Sequence, residues 1–138
     1  MIKNLLSKVV TVAQSNQLSK PFRAPTSVVG IALQGSLLYG SGGTSIDAWV
    51  QTTMDQGASW IDVAQFNWTT ASAKKLFNLS GLTPITTIYT PTDATLAANT
   101  CKDGVLGDVW RVKYTTVGVY ATNTVLSVDA AFRLEGIK

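Results

Sequence analysis

The feature that most narrows the fold of this chain is a strict alternation of apolar and polar residues near its C-terminal end. In residues 109–116, Trp110, Val112 and Tyr114 point one way while Val109, Arg111 and Lys113 point the other. In residues 123–134 a matching inward row follows, Leu126, Val128, Ala130 and Phe132, joined to the first through Ala121, Thr122 and Asn123. Successive side chains of a strand leave opposite faces, so a period of two reads as a β-strand with one side buried.

The same period recurs upstream. Val28, Val29, Ile31 and Leu33 predict a strong strand, with a break at Gly35 before Leu37, Leu38 and Tyr39. The glycine-rich residues 40–43 predict a turn. Ile46, Ala48 and Val50 alternate with Asp47, Trp49 and Gln51; residues 60–66 return after the turn Asp55-Gln56-Gly57, and the two runs read as a hairpin. Residues 84–90 (PITTIYT) are β-branched and aromatic, a further strand candidate. Residues 71–78 have some helical character and read equally well as an outer strand. Residues 91–107 show no periodicity, and an irregular segment of that length is often a contact element.

Residues 1–25 read as an N-terminal arm. Ile2, Leu5, Leu6, Val9 and Ala13 have helical spacing, yet Val9, Val10, Thr11 and Val12 are β-branched, so a helical turn and an extended strand both remain open. Such an arm would cover the domain's own edge or lie on a neighbour. The apolar stretch of MIKNLLSKVVTVAQS is interrupted by Ser7 and Lys8, short of a secretory core, and no run approaches a membrane span. The expectation is a chain that begins at Met1 and folds in the cytoplasm. Strands at near-regular spacing with turns between them predict an all-β fold: a single antiparallel β-sandwich or jelly-roll-like domain over residues 26–138, preceded by the arm.

Charge and chemistry then limit the function. Only 14% of residues are charged, where roughly 25% is usual, and interface cores are depleted of charge. A net charge of +3 with scattered lysines and arginines gives no nucleic-acid stripe. Cys101 is the only cysteine, and there is no histidine, which removes the commonest general base and metal ligand. Asp47 and Asp62 are the one carboxylate pair that would face each other across a hairpin, and solvent-facing strand positions commonly carry such charge. Asp93, Asn99, Asp103 and Asp108 could offer oxygen ligands to calcium, but at no EF-hand spacing. No enzyme activity, metal or cofactor is expected.

Thr53-Met54-Asp55-Gln56-Gly57-Ala58-Ser59-Trp60 resembles the Asp-box, a structural hairpin of sialidases and many unrelated β proteins. Its aspartate accepts turn amides, its glycine permits positive φ, and its tryptophan plugs the turn from beneath. Thr53, Asp55, Gly57 and Trp60 are therefore expected to be structural. Trp60 and Trp110 are assigned to the core. Trp49 lies across its strand from Ile46, Ala48 and Val50, so its ring is expected outside the core, as an interface anchor or beneath a second sheet.

The stretch from residue 42 to residue 136 resembles small proteins encoded among the virion genes of tailed phages and prophages. The resemblance rests on GGTSIDAWVQTTMDQGASWIDVAQFNWTTASAKKLFNLS and on GDVWRVKYTTVGVYATNTVLSVDA, about two-thirds of the chain. It implies a virion component, foremost a capsid decoration (cement) protein, with a neck or tail piece as the alternative. The implied partners are the major capsid protein or other virion proteins and further copies of the chain, a trimer being one arrangement, with no nucleic acid and no membrane. The expected contact residues are Trp49, Arg111 and Lys113 on outer strand faces, Leu96 and Val105 in the long loop, and Leu5 and Leu6 in the arm. A non-catalytic carbohydrate-binding module, stacking sugars on Trp49 or Trp68, is a reading of another class.

Overall fold

Strands form wherever the alternation is strong, and also where it is weak. In a computed structural model, which describes residues 1–135, the order is β1 (Ile2–Val9), β2 (Gln14–Leu18), β3 (Phe22–Arg23), β4 (Val28–Leu38), β5 (Ser41–Gly42), β6 (Ser45–Thr53), β7 (Ile61–Trp68), β8 (Ala73–Ser80), β9 (Val109–Val117), β10 (Tyr120–Ala121) and β11 (Val125–Leu134). The last three positions of the expected domain, including Gly136 of the resemblance, lie outside the described residues. One sheet runs β1-β11-β4-β8 and the other β2-β9-β6-β7, with β3 also on β9 and a small β10-β5 ribbon at one end. All pairings are antiparallel. The fold is the expected all-β sandwich-like architecture.

The two inward rows meet in one core. Ile31, Leu33, Leu79, Leu126, Val128 and Ala130 come from the first sheet; Ile46, Ala48, Val50, Phe66, Trp110 and Val112 come from the second. Gly35 is no break in β4. It sits at the closest approach of the sheets, where an added Cβ would lie 2.8 Å from both Phe66 and Trp68. Only glycine leaves room there for those stacked rings, whose centroids are 5.8 Å apart.

Several local expectations change. The N-terminal residues form strands and no helix: Ile2–Val9, Gln14–Leu18 and Phe22–Arg23 each pair with a sheet edge, while the β-branched Val10, Thr11 and Val12 fall in the connection between the first two. β1 closes the first sheet against β11, while β2 and β3 close the second against β9. The arm is thus part of both sheets. The runs at β9 and β11 are not neighbours: they belong to opposite sheets, and the connection between them crosses the end of the sandwich through β10. Residues 71–78 fall largely on β8, an edge strand on β4.

Residues 84–90 form no strand. Their β propensity needs an edge to satisfy it, and that of β7 is taken while the near end of β8 is engaged by a side chain. Residues 100–102 take the edge of β7, through Gln65 N–H to the Thr100 carbonyl and Lys102 N–H to the Val63 carbonyl, each 2.8 Å. On β8, the Ser80 amide already donates to Asp103 at 2.6 Å. Pro84 and Pro91, which lack amide donors, bracket the segment. Ile88 is left 93% exposed.

Candidate functional site

A sandwich of two sheets has two outer faces, and here they differ. On β6 the outward side chains are Asp47, Trp49 and Gln51, and on β9 they are Arg111, Lys113 and Thr115, paired across the strands as Asp47↔Thr115, Trp49↔Lys113 and Gln51↔Arg111. The expected contact residues Trp49, Arg111 and Lys113 are therefore brought together. What meets them is the chain's own loop, residues 91–108.

Asp62 is the fastening. It is wholly buried, and its carboxylate accepts hydrogen bonds from the amides of Ala94 (2.9 Å), Thr95 (3.0 Å) and Leu96 (3.2 Å), from Thr92 Oγ1 (2.9 Å) and from Gln51 Nε2 (2.8 Å). Three successive backbone amides turned onto one carboxylate form an anion nest. Ala94 reaches it with φ of 61°, a left-handed conformation that costs a non-glycine residue about 1–2 kcal/mol. Bonds to a carboxylate are among the stronger hydrogen bonds and offset that strain.

The remaining contacts spread outward from this point. Trp49 Nε1 donates to the Leu96 carbonyl at 3.1 Å, so ring and loop share one contact. Gln51 Nε2 also donates to Asp93 Oδ1 at 2.6 Å, and Lys113 Nζ pairs with the same oxygen at 3.1 Å. Arg111 Nε donates to Gln51 Oε1 at 2.8 Å, and its guanidinium lies 4.1 Å from the centre of the Trp60 ring. Burial lowers the arginine's affinity for its proton, against the opposing pull of Asp93 and Asp62. Burial also pushes Asp93 upward, but hydrogen bonds from Gln51 and Lys113 and the positive charges of Lys113 and Arg111 outweigh it, so its carboxyl lies below the ordinary value. At the far end Gln65 joins β7 to the loop, donating to Asp47 and accepting from the Asn99 amide, both at 2.8 Å. β7 is consequently buried on both sides, which is why Asp62 and Gln65 are as inaccessible as Val63 and Phe66.

Asp47 and Asp62 do not face each other. β7 carries a bulge opposite β6, and the register places Asp47 against Asn67 and Asp62 against Gln51. The oxygens considered for calcium are dispersed as well. Asp93 goes to Gln51 and Lys113, Asn99 to the Asn67 amide and Lys75, Asp103 to Ser80 and Thr83, and Asp108 to Arg23. No group of three or more potential metal-ligating side chains gathers among the described residues.

The Asp-box hairpin has the expected internal bonding. Asp55 Oδ1 accepts the Ser59 amide at 2.8 Å, Asp55 Oδ2 accepts the Ser59 hydroxyl at 2.6 Å, and Thr53 Oγ1 accepts the Gly57 amide at 2.9 Å. Hydrogen bonds from the Ser59 side chain, the Ser59 amide and Thr53 hold the Asp55 carboxyl below its ordinary value. Gly57 has φ of 91°, as the turn requires. Trp60, however, is half-buried under Arg111 and outside the core. It ends the strand on the polar outer side, where the guanidinium covers its face. Trp110 is in the core as expected.

Leu5 and Leu6 are also drawn inward. A bulge in β1 between Asn4 and Leu6 buries Leu5, and Leu6 packs against the core opposite Val128. Leu96 and Val105 are half-buried within the loop. Trp68 is buried, stacked on Phe66, and donates to the Ala73 carbonyl at 3.2 Å. No helix is long and apolar enough to cross a membrane among the described residues.

Among the described residues, no loop covers the other outer face. Across β1-β11-β4-β8 its side chains fall into four rows: Ile2, Ala131, Ala32 and Asn78; Asn4, Asp129, Gln34 and Leu76; Ser7, Ser127, Ser36 and Lys74; and Val9, Val125 and Leu38. Asp129 and Lys74 are the charges within these rows, Arg133 stands just beyond them beside Gly30, and Asp129 already accepts from Asn4 Nδ2 at 2.8 Å. Leu38 is 62% exposed and Val9 51%. None of these positions stood among the expected contacts. The signal was present: four alternate outward positions of β4, Ala32, Gln34, Ser36 and Leu38, carry no charge. Comparisons of the chain with protein-family models, with curated proteins and with solved structures gave no match.

Proposed function

We propose that the chain is a non-catalytic β-sandwich module that works by contact, and that its contact surface is the outer face of the β1-β11-β4-β8 sheet. One observation carries this reading: a broad sheet face nearly without charge stands open beside another that the chain covers with its own loop. Large exposed patches with small and apolar side chains mark sites of association.

More particularly, we propose a structural protein of a tailed-phage particle, foremost a capsid decoration protein, with a neck or tail position as the alternative. The resemblance of residues 42–136 to virion-encoded proteins supports this, as does a low-charge surface suited to symmetric neighbours. Repeated copies on a symmetric shell would multiply a modest contact into firm attachment. The sugar-binding reading gains less support, since Trp68 is buried and Trp49 is engaged with Leu96.

The test is co-sedimentation of the purified protein with shells of the major capsid protein encoded beside it. Saturable binding, weakened at least tenfold by Leu76→Asp on the open face and unchanged by Thr86→Asp in the exposed segment 84–90, is the expected result. No binding to shells or to whole particles would overturn the virion reading.

A further inference from the structure

The open face has relief as well as composition. At one end of β4, Gly30 points outward between Arg133 and Ser80 and leaves a dent. A Cβ added at Gly30 would meet nothing nearer than the Leu79 carbonyl at 3.4 Å. The dent opens into a groove of about 510 Å³ whose walls include Ala32, Asn78, Leu82, Ala131 and Arg133. At the opposite end of the same strands, Val9, Val125 and Leu38 form an apolar row whose outer members, Val9 and Leu38, are exposed. One face thus carries a hollow at one end and an apolar row at the other.

We infer that a second copy of this chain occupies the face, related by a two-fold axis that lies in the plane of the sheet and crosses the strands. This rests on the proposal that the open face is the contact surface, and adds what meets it. The rotation reverses the rows while keeping strand over strand. It lays the Val9-Val125-Leu38 row of each copy on the Ile2-Ala131-Ala32 row of the other, at the margin of the groove that runs on to Gly30, twice over. The middle rows then meet as Asp129 against Ser127, a carboxylate against a hydroxyl donor, with no like charges opposed. Lys74 stays on the rim strand β8. Such an isologous contact closes on itself and leaves nothing to propagate.

The size of the face fits a reversible dimer. Four strands about 4.8 Å apart and about eight residues long at 3.4 Å each span on the order of 500 Å², hence about 1,000 Å² buried between two copies. That is the lower bound for a specific contact, where complexes are transient and concentration-dependent.

The experiment is light scattering and sedimentation of the purified full chain, from about 1 μM to about 1 mM. The expected result is a monomer–dimer equilibrium whose dissociation constant rises at least tenfold in Leu38→Asp, which puts a charge in the apolar row, and in Gly30→Val, which fills the hollow; Thr86→Asp leaves it unchanged. Backbone amide shifts of the unaltered protein provide a reading independent of any variant, and should move with concentration in β4, β11 and β1. A monomer at every concentration, a trimer, or a dimer indifferent to both substitutions would overturn the inference. The two proposals fail separately: a monomer that still binds shells removes the dimer alone, and a dimer that binds no particle removes the virion reading alone.

Discussion

The two outer faces of the sandwich offer the same kind of surface, a twisted sheet of outward side chains, and the chain treats them in opposite ways. On the β6-β9 side the outward residues are large, polar and charged, and residues 91–108 fold over them. On the β11-β4 side they are mostly uncharged, and none of the described residues folds over them. The difference teaches where contact with other molecules is available. Arg111, Lys113 and Gln51 are held by internal partners, so moving the loop would leave them to be paired again. The open face has few such obligations. Burying it removes apolar surface from water with little polar loss, which is the condition for favourable association.

The contrast can be broken most forcefully at Asp62. Asp62→Ala leaves the amides of Ala94, Thr95 and Leu96 without their acceptor. The expected loss is about 3 kcal/mol, since buried donors deprived of a charged partner carry the full desolvation penalty. Thermal unfolding should show it, together with rapid protease cleavage within 91–108. Unchanged stability would mean that the loop is not fastened there. Trp49→Phe keeps an aromatic side chain but loses the indole N–H that donates to the Leu96 carbonyl, along with part of the ring's contact. It should lower stability by about 1 kcal/mol, with faster amide exchange confined to the loop.

Acid should act on the same side. The carboxyls of Asp93 and Asp103 are lowered from 3.8 in the folded chain. The balance described above sets the direction for Asp93, and for Asp103 the main cause is the Ser80 amide. A depressed folded value means that their stabilisation is complete above pH 3.8 and is lost as pH falls below it through the folded values. The protection factors of amides 91–104, in which the intrinsic pH dependence of exchange is divided out, should therefore fall below about pH 3.8 and be flat between pH 5 and 7; a fall already at pH 6 would contradict the assignment. The smallest effect belongs to the open face. In the dilute monomer Leu38→Asp should change stability by no more than about 0.5 kcal/mol, because that side chain is exposed and holds nothing. A larger loss by denaturant unfolding would show Leu38 to be structural.

The strands of the core were legible in the sequence because burial on one side forces a period of two, as at Ile46, Ala48 and Val50 or at Leu126, Val128 and Ala130. Their assignment to sheets was not. Alternation shows which side chains point inward and is silent on whether β9 pairs with β11 or faces it across the core. Residues 84–90 misled for a related reason: propensity describes a side chain's fit to a sheet and cannot say that the edges are already taken. The covered face was half legible. Trp49, Arg111, Lys113 and Leu96 were singled out as contacts with another molecule, whereas the structure engages them within the chain, and the aperiodic loop gave no sign of its part in that. Asp62 was seen as a charge on a strand, because a backbone nest leaves no trace in residue identity. The open face was missed since uncharged residues attract no notice singly; only their lack of charge as a row distinguishes them.

Amide hydrogen exchange, compared between the dilute chain and the chain at assembling concentration or on a particle, tests the division between the faces most directly. Added protection in β1, β4 and β11, with residues 47–53, 91–104 and 109–115 unchanged, is the predicted pattern. Protection appearing over β6, β9 and their covering loop, with the opposite sheet unaltered, would contradict it.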